Sequence, residues 1–126
     1  MSKVCVIAGV GPGNGASCCR RFAAEGYSIV MLARNAEYLE SLSAQLPGSL
    51  PIACDVRDPE AIISAFDRAR CEVGEAEVLI YNAGSGEWNS VEETTVDCMW
   101  SSCRSNTLGR LVSSPQVIPA ITSRRR

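Results

Sequence analysis

The feature that most constrains this chain is a glycine-rich turn between an apolar run and a helical pattern. Residues 3–9 form a short, apolar run that predicts a buried strand, and further glycines follow at positions 11, 13 and 15. Residues 13–25 place apolar side chains at helical spacing, and Gly26 ends that pattern. A strand that turns through glycines into a helix N-terminus can hold a phosphate on its backbone amides.

Strand and helix patterns go on alternating as far as residue 81. Strands are predicted over 27–33, 50–55 and 77–81, and helices over 35–46 and 59–73. Such an alternation predicts a parallel sheet whose crossover connections are right-handed. We therefore predict an α/β fold with four parallel strands and helices on both faces of the sheet.

Two helical segments are predicted to bury an apolar face. The core face of the helix over 59–73 is predicted to be Ile62, Ile63, Phe66, Ala69 and Val73. Residues 94–122 also have a helical pattern, and its predicted face is Met99, Trp100, Cys103, Leu108, Leu111 and Val112. Pro115 and Pro119 should kink or fray this long segment, and the arginines at 124–126 are expected to form a solvated basic tail.

Length, charge and cysteine content narrow the class of protein. At 126 residues with an apolar share of 46%, the chain is expected to form one domain over residues 1–126. Its net charge of −2 gives no general attraction to nucleic acid or anionic membranes, and no run approaches the ~18 apolar residues of a spanning helix. The seven cysteines include no Cys-x-x-Cys pair and the chain has no histidine. We therefore expect buried or half-buried thiols in a reducing cytoplasm, and no metal site.

The spacing of the glycines distinguishes two kinds of phosphate site. A P-loop needs a lysine after its last glycine, and the only lysine in this chain is Lys3. Glycines at 9, 13 and 15 give Gly-x-x-x-Gly-x-Gly after a strand and before a helix, which favours dinucleotide binding over a purely structural turn. The candidate phosphate-binding residues are Gly9, Gly11, Pro12, Gly13, Asn14 and Gly15.

Three further motifs accompany the glycine turn, and together they resemble the short-chain dehydrogenase/reductase family. They are Asp55-Val56, Asn82-Ala83-Gly84 and Asn106 within Ser-Asn-Thr-Leu-Gly, in the order that the family has them. The resemblance implies a Rossmann-like three-layer sandwich with strand order 3-2-1-4 and one NAD(P)-binding domain. It also implies that the chain is a truncated half of a seven-stranded fold. Two positions depart from the family pattern, namely Ala8 in place of threonine and Tyr81 in place of asparagine.

The end of the second predicted strand indicates which dinucleotide is bound. A carboxylate usually stands there and holds the free ribose hydroxyls of NAD, whereas residues 31–35 read Met-Leu-Ala-Arg-Asn. The guanidinium of Arg34 suits a 2′-phosphate, so we predict NADP rather than NAD. The resemblance also implies that Asp55 and Val56 line the adenine pocket, with Asp55 meeting the exocyclic amine, although Asp55 could equally cap the following turn. It further implies that Asn82, Ala83 and Gly84 lie close to the nucleotide.

The residues that would perform the family's chemistry are largely missing. The resemblance implies a tyrosine followed four residues later by lysine, and none of Tyr27, Tyr38 and Tyr81 has such a lysine. Asn106 is the one family catalytic position present, and it could equally be an ordinary polar helix residue.

Three hypotheses about function remain open. The first is an NADP-binding portion of a carbonyl or alcohol oxidoreductase that is inactive alone. The second is an active oxidoreductase completed by a further segment or chain, and the third is a non-enzymatic flavodoxin-like or interaction domain. We also expect that an apolar fourth strand at the sheet edge, or the last helix, allows self-association.

Overall fold

The computed structural model describes residues 3–125, and its centre is a parallel sheet of four strands. The strands are β1 (Lys3–Ala8), β2 (Tyr27–Ala33), β3 (Leu50–Ala53) and β4 (Val78–Tyr81). They lie in the order β3-β2-β1-β4, and every pairing is parallel. The predicted α/β class and strand order are therefore confirmed, and Arg126 of the predicted basic tail lies outside the described residues.

Helices cover both faces of the sheet and complete a three-layer, Rossmann-like arrangement. They are α1 (Asn14–Ala24), α2 (Ala36–Gln45), α3 (Pro59–Glu72), α4 (Val96–Cys103), α5 (Gly109–Ser113) and α6 (Ile118–Arg124). A single π-helical turn (Arg104–Leu108) joins α4 to α5, and a short 3-10 turn (Ser114–Gln116) precedes α6. The 3-10 turn, which contains Pro115, agrees with the kink that the prolines predict, whereas the π-helical turn lies before both prolines.

Side chains of β1 alternate between two cores because successive residues of a strand point to opposite faces. Val4 and Val6 belong to a core that includes α3 and Val117, whereas Cys5 and Ile7 belong to a core formed with α1 and α2. Each of these four side chains is at most 1% exposed. A strand buried on both faces explains the continuous apolar run at the beginning of the sequence.

The predicted core face of α3 is right except at Ile63. Ile62 and Phe66 are buried, while the side chain of Ile63 is 43% exposed. Consecutive helix residues lie about 100° apart around the helix axis, so Ile63 falls outside the stripe that Ile62 begins. Ala65 takes the remaining buried position.

The predicted apolar face of the last segment is wrong in several places. Met99, Trp100 and Leu111 are 57%, 58% and 67% exposed, respectively, and Cys103 is also exposed. The buried face is made of Ser105, Gly109, Ser113 and Val117, four residues apart. The hydroxyl of Ser113 donates to the Gly109 carbonyl at 2.7 Å, so this buried polar group is satisfied within its own helix. Hydropathy does not detect such a face, because its small residues allow neighbouring segments to pack closely and contribute little apolar area.

The seven cysteines are all free thiols in the described structure, but they differ in accessibility. Cys5, Cys19 and Cys54 are buried, whereas Cys71 and Cys103 are exposed, so the prediction that all are at least half-buried is wrong for the last two. Burial raises the pKa of Cys5 to about 12 and the pKa of Cys19 and Cys54 to about 11. These three thiols are therefore protonated and unreactive near neutral pH.

Alkylation of the native chain tests this difference between the thiols. Iodoacetamide at pH 8 is expected to modify Cys71 and Cys103 at least tenfold faster (roughly) than Cys5 and Cys19, because only accessible thiolates react. Peptide mass spectrometry after a time course measures each site, and alkylation in urea gives the matched control in which all sites react. Equal labelling of Cys5 and Cys71 in the native chain would contradict this burial pattern.

Candidate functional site

A cavity of about 690 Å³ opens at the edge of the sheet where the parallel strands end. Ligands of open α/β sheets bind at this edge, beside the point where the chain order reverses, which here lies between β1 and β4. Its lining comes from the segments after all four strands and from α4 and the following turn. The main lining residues are Gly9, Gly11, Arg34, Asp55, Val56, Arg57, Asn82, Ala83, Gly84 and Ser101.

The loops after β1 and β4 are packed directly against each other at the cavity. Gly9 has φ +89°, and a Cβ on it would lie 2.5 Å from Ala83 Cα. The Asn82 backbone amide donates to the Ala8 carbonyl at 2.8 Å, and Asn82 Nδ2 donates to the Gly9 carbonyl at 3.0 Å. Only glycine combines this backbone conformation with so close an approach.

The other glycines of the turn have two different surroundings. Gly15 is buried, and a Cβ there would lie 2.5 Å from the Gly9 carbonyl oxygen, so its role is to let α1 approach β1. A Cβ on Gly11 or Gly13 would meet nothing within 4 Å. Of the predicted phosphate-binding residues, Gly9 and Gly11 line the cavity, while Pro12, Gly13 and Asn14 are exposed at the beginning of α1.

Arg34 lies directly after β2 on the cavity wall, together with Asn35. The Asn35 side chain accepts a hydrogen bond from the Tyr38 amide at 3.1 Å and caps α2. Because Asn35 is fixed in this way, the segment that carries Arg34 has a defined path at the rim. Arg34 is exposed, and its positive charge contributes to lowering the pKa of Asp55.

Asp55 is bound by a residue that the sequence analysis did not identify. Arg57 donates to the Asp55 carboxylate from Nη2 at 2.8 Å and from Nε at 3.1 and 3.2 Å, and its backbone amide donates at 2.9 Å. These hydrogen bonds are the main reason why the pKa of Asp55 lies below its usual value. Arg57 Nη1 also donates to Ser101 Oγ at 3.3 Å, so Arg57 joins the segment after β3 to α4. The two-residue spacing of Asp55 and Arg57 could have indicated their ion pair. No local pattern could have indicated the contact of Arg57 with α4.

Asn106 lies in the π-helical turn and holds the loop after β4. Its Nδ2 donates to the Ser85 carbonyl at 2.7 Å, and its Oδ1 accepts from the Ser85 amide at 2.9 Å. A Cβ on Gly84 would lie 2.8 Å from Asn106 Oδ1, which accounts for glycine at that position. Asn106 does not line the cavity itself, and both ends of its side-chain amide are engaged with backbone.

Tyr81 connects β4 to the same π-helical turn. Its hydroxyl donates to the Ser105 carbonyl, and the Arg110 guanidinium lies 5.4 Å from the centre of its ring. Burial raises the pKa of the Tyr81 hydroxyl. Gly109 is required beside it, because a Cβ there would lie 2.6 Å from the Val56 carbonyl oxygen and closer still to the tyrosine hydroxyl.

The substitution Tyr81→Phe removes only the hydroxyl that binds the π-helical turn. It is expected to lower the free energy of unfolding by about 1–2 kcal/mol, because the carbonyl of the buried Ser105 loses its tyrosine donor. Urea denaturation followed by circular dichroism measures the change. Tyr38→Phe on α2, on the other side of the sheet, is the matched control. Equal changes in the free energy of unfolding for the two substitutions would show that the hydrogen bond to Ser105 does not add to stability.

Membrane-spanning helices and metal-binding clusters are both absent from the described residues. Between residues 3 and 125, no helix has the length and apolar character needed to cross a membrane. In the same part of the chain, no group of three or more His, Cys, Asp and Glu side chains is arranged to hold a metal ion.

Comparison with known proteins identifies the family. The sequence profile described as short chain dehydrogenase matches residues 3–126, which is almost the whole chain. The chain therefore belongs to the short-chain dehydrogenase/reductase family.

The relatives that this chain resembles include several oxidoreductases. Dehydrogenase/reductase SDR family member 7B of Bos taurus is 32% identical over 99% of this chain and 42% of its own length. Meso-2,3-butanediol dehydrogenase of Serratia marcescens is 35% identical over 76% of this chain and 39% of its own length. L-sorbose reductase of Gluconobacter frateurii, solved with NADPH and L-sorbose, superposes with a TM-score of 0.88 at 27% identity. That alignment covers 98% of this chain and 49% of the reductase, so the chain spans about half the length of such relatives.

Proposed function

We propose that this chain binds NADP(H) in the cavity at the carboxyl ends of the strands and forms the cofactor-binding part of an oxidoreductase. The observation that carries the proposal is that the Gly9 turn and Arg34 line the same cavity, with no carboxylate at the end of β2. Membership of the short-chain dehydrogenase/reductase family supports a nicotinamide dinucleotide. A structural neighbour complexed with NADPH supports the phosphorylated form.

Each part of the cofactor has a chemically suitable partner. Backbone amides over 11–15 at the beginning of α1 would bind the diphosphate, helped by the partial positive charge of the helix N-terminus. Arg34 would bind the 2′-phosphate, because a guanidinium matches phosphate oxygens in charge and geometry. The segment 55–57 would hold the adenine, and Asn82, Ala83 and Gly84 would lie along the remainder of the nucleotide.

We further propose that a polypeptide of these 126 residues does not complete a reaction cycle. Bound NADPH supplies a hydride, and reduction of a carbonyl also needs a proton donor. The hydroxyl of Tyr81 is engaged with the Ser105 carbonyl, and no tyrosine of the chain is followed four residues later by lysine. Asn106 keeps the proposed catalytic position, where it would act by fixing the loop after β4 beside the bound cofactor.

A second candidate is an oxidoreductase completed by a further segment or a second chain. A specific group of residues favours it: several large apolar side chains are exposed on the loop before α4, on α4 and on α5. They are Trp88, Val91, Val96, Met99, Trp100 and Leu111.

We propose that these exposed apolar residues, or the edge of β4, also allow self-association, because exposed apolar patches favour protein contacts. Sedimentation velocity over a concentration series tests this, and a constant monomer at all concentrations would contradict it.

The seven free thiols support a reducing location, and we propose that the chain works in the cytoplasm. Fractionation of cells that express the chain tests this proposal. Recovery in an oxidising compartment would contradict it.

Titration of the purified chain with NADPH and NADH tests the proposed function. Calorimetry is expected to give one-site binding of NADPH, with weaker binding of NADH. A parallel assay follows NADPH absorbance with a panel of ketones and aldehydes, and no oxidation above the rate without protein is expected. Folded chain that binds neither cofactor would refute the proposal. Binding together with enzymatic turnover would refute only the claim that the polypeptide is inactive by itself.

A further inference from the structure

The loop after β4 is held at both of its ends, and each end is fixed by a different part of the fold. At its beginning, the Asn82 side chain donates to the Gly9 carbonyl at 3.0 Å, which ties the loop to the turn after β1. At Ser85, the backbone amide and carbonyl are both bonded to the side-chain amide of Asn106, at 2.9 and 2.7 Å. The position of this cavity-lining loop therefore depends on where the π-helical turn places Asn106.

The π-helical turn leaves one of its own carbonyls in need of a donor. In a regular α-helix, the Gly109 amide would donate to the Ser105 carbonyl, four residues earlier. It donates here to the Arg104 carbonyl, five residues earlier, as a π-helical turn requires. The Tyr81 hydroxyl donates to the Ser105 carbonyl and takes the place of the helical donor. Ser105 is buried, and a buried carbonyl without a donor costs free energy.

Tyr81 also joins this turn to the sheet. It is the last residue of β4, and the loop that lines the cavity begins at the next residue, Asn82. Within residues 3–125, its bond to Ser105 is the one hydrogen bond between the π-helical turn and a strand. The hydroxyl of Tyr81 therefore restrains the distance between β4 and the turn that carries Asn106.

On this basis we propose that Tyr81 is a positioning residue for the cofactor: its hydroxyl holds the π-helical turn against the sheet, and Asn106 extends that restraint to the loop over 82–85. The loop lines the cavity, where it would contact the part of NADP(H) beyond the adenosine. Tyr81 itself does not line the cavity, so its effect on the cofactor is indirect. This inference rests on the proposed binding of NADP(H).

Amide hydrogen exchange in the chain without cofactor tests the positioning itself. In Tyr81→Phe, the Ser85 amide is expected to exchange about fivefold faster, the factor that corresponds to one ordinary hydrogen bond, because its acceptor is no longer held in place. The Gly9 amide, which donates to the Leu32 carbonyl at 2.8 Å, should keep its rate. Ile62→Val on α3 is the matched control, because it deletes a buried methyl group, lowers stability and does not line the cavity.

Calorimetric titration with NADPH tests the consequence for the cofactor in a double-mutant cycle. Tyr81→Phe is expected to weaken binding about fivefold, and Asn106→Ala by at least as much. The double variant should bind no more weakly than Asn106→Ala alone, because both substitutions interrupt the same series of contacts from β4 to the loop. Ile62→Val should leave the affinity for NADPH unchanged.

Two results would overturn the role of Tyr81. One is a Ser85 exchange rate in Tyr81→Phe that is unchanged, or that rises only as much as the rate of Gly9. The other is an additive loss of NADPH affinity in the cycle, which would show that Tyr81 does not act through Asn106. Failure of the unaltered chain to bind NADPH would refute the proposed function instead, and the exchange rates would still decide whether Tyr81 positions the loop.

Discussion

Arg34→Glu is expected to weaken binding of NADPH at least a hundredfold (roughly) while leaving the affinity for NADH unchanged or improved. The substitution removes a charge-assisted contact with the 2′-phosphate and puts a like charge in its place, which costs several kcal/mol. A carboxylate at the end of β2 can instead accept hydrogen bonds from the free ribose hydroxyls of NADH. Calorimetric titration with both cofactors measures the change in preference.

Arg20→Glu is the matched control for this substitution. It changes the charge of the chain by the same amount. Arg20 lies on α1, where its side chain donates a hydrogen bond to Gln45, and it does not line the cavity. Long-range electrostatics alone would affect the two variants equally. Equal weakening of NADPH and NADH in Arg34→Glu would contradict the assignment of Arg34 to the 2′-phosphate.

Gly9→Ala is expected to lower the free energy of unfolding by about 3 kcal/mol or to unfold the chain, and to abolish cofactor binding. The backbone of Gly9 has φ +89°, which an alanine adopts only with strain. The added methyl would also lie 2.5 Å from Ala83 Cα, and backbone cannot move away as a flexible side chain can. The loops after β1 and β4 would therefore separate at the cavity.

Urea denaturation of Gly9→Ala and Gly86→Ala measures this effect. Gly86 is the matched control, because a Cβ on it would meet nothing within 4 Å and its φ is not in the left-handed region. It should change stability by no more than about 0.5 kcal/mol. If the two variants were equally stable, the close contact between the two loops would not be the reason for glycine at position 9.

The sheet could be predicted from the sequence because it depends on local patterns. β2 has the predicted bounds 27–33, and the other elements differ at their ends by one or two residues. Apolar, β-branched runs such as Val4–Ile7 are buried on both faces, so their hydropathy reports their environment directly. The order β3-β2-β1-β4 then followed from the resemblance to a family with known topology.

The parts that could not be predicted depend on contacts between distant residues. Arg57 and Ser101 are 44 positions apart, and Tyr81 and Ser105 are 24 apart, so no local pattern announces either contact. The buried face of the last segment was missed for another reason. Gly109 is buried because Tyr81 and the Val56 carbonyl approach it closely, and a helical pattern judged by hydropathy assigns glycine no such position.

We propose that one bound cofactor contacts the glycine turn and the ends of all four strands, and nuclear magnetic resonance can report on each of these segments. A ¹⁵N-labelled chain would be titrated with NADP⁺ while the backbone amide shifts are followed. We predict saturable shifts in four groups of amides, at 9–15, 34–35, 55–57 and 82–85, with α6 unaffected. Shifts confined to α6 or to the exposed apolar surface, or no shifts in a folded chain, would contradict cofactor binding at the carboxyl ends of the strands.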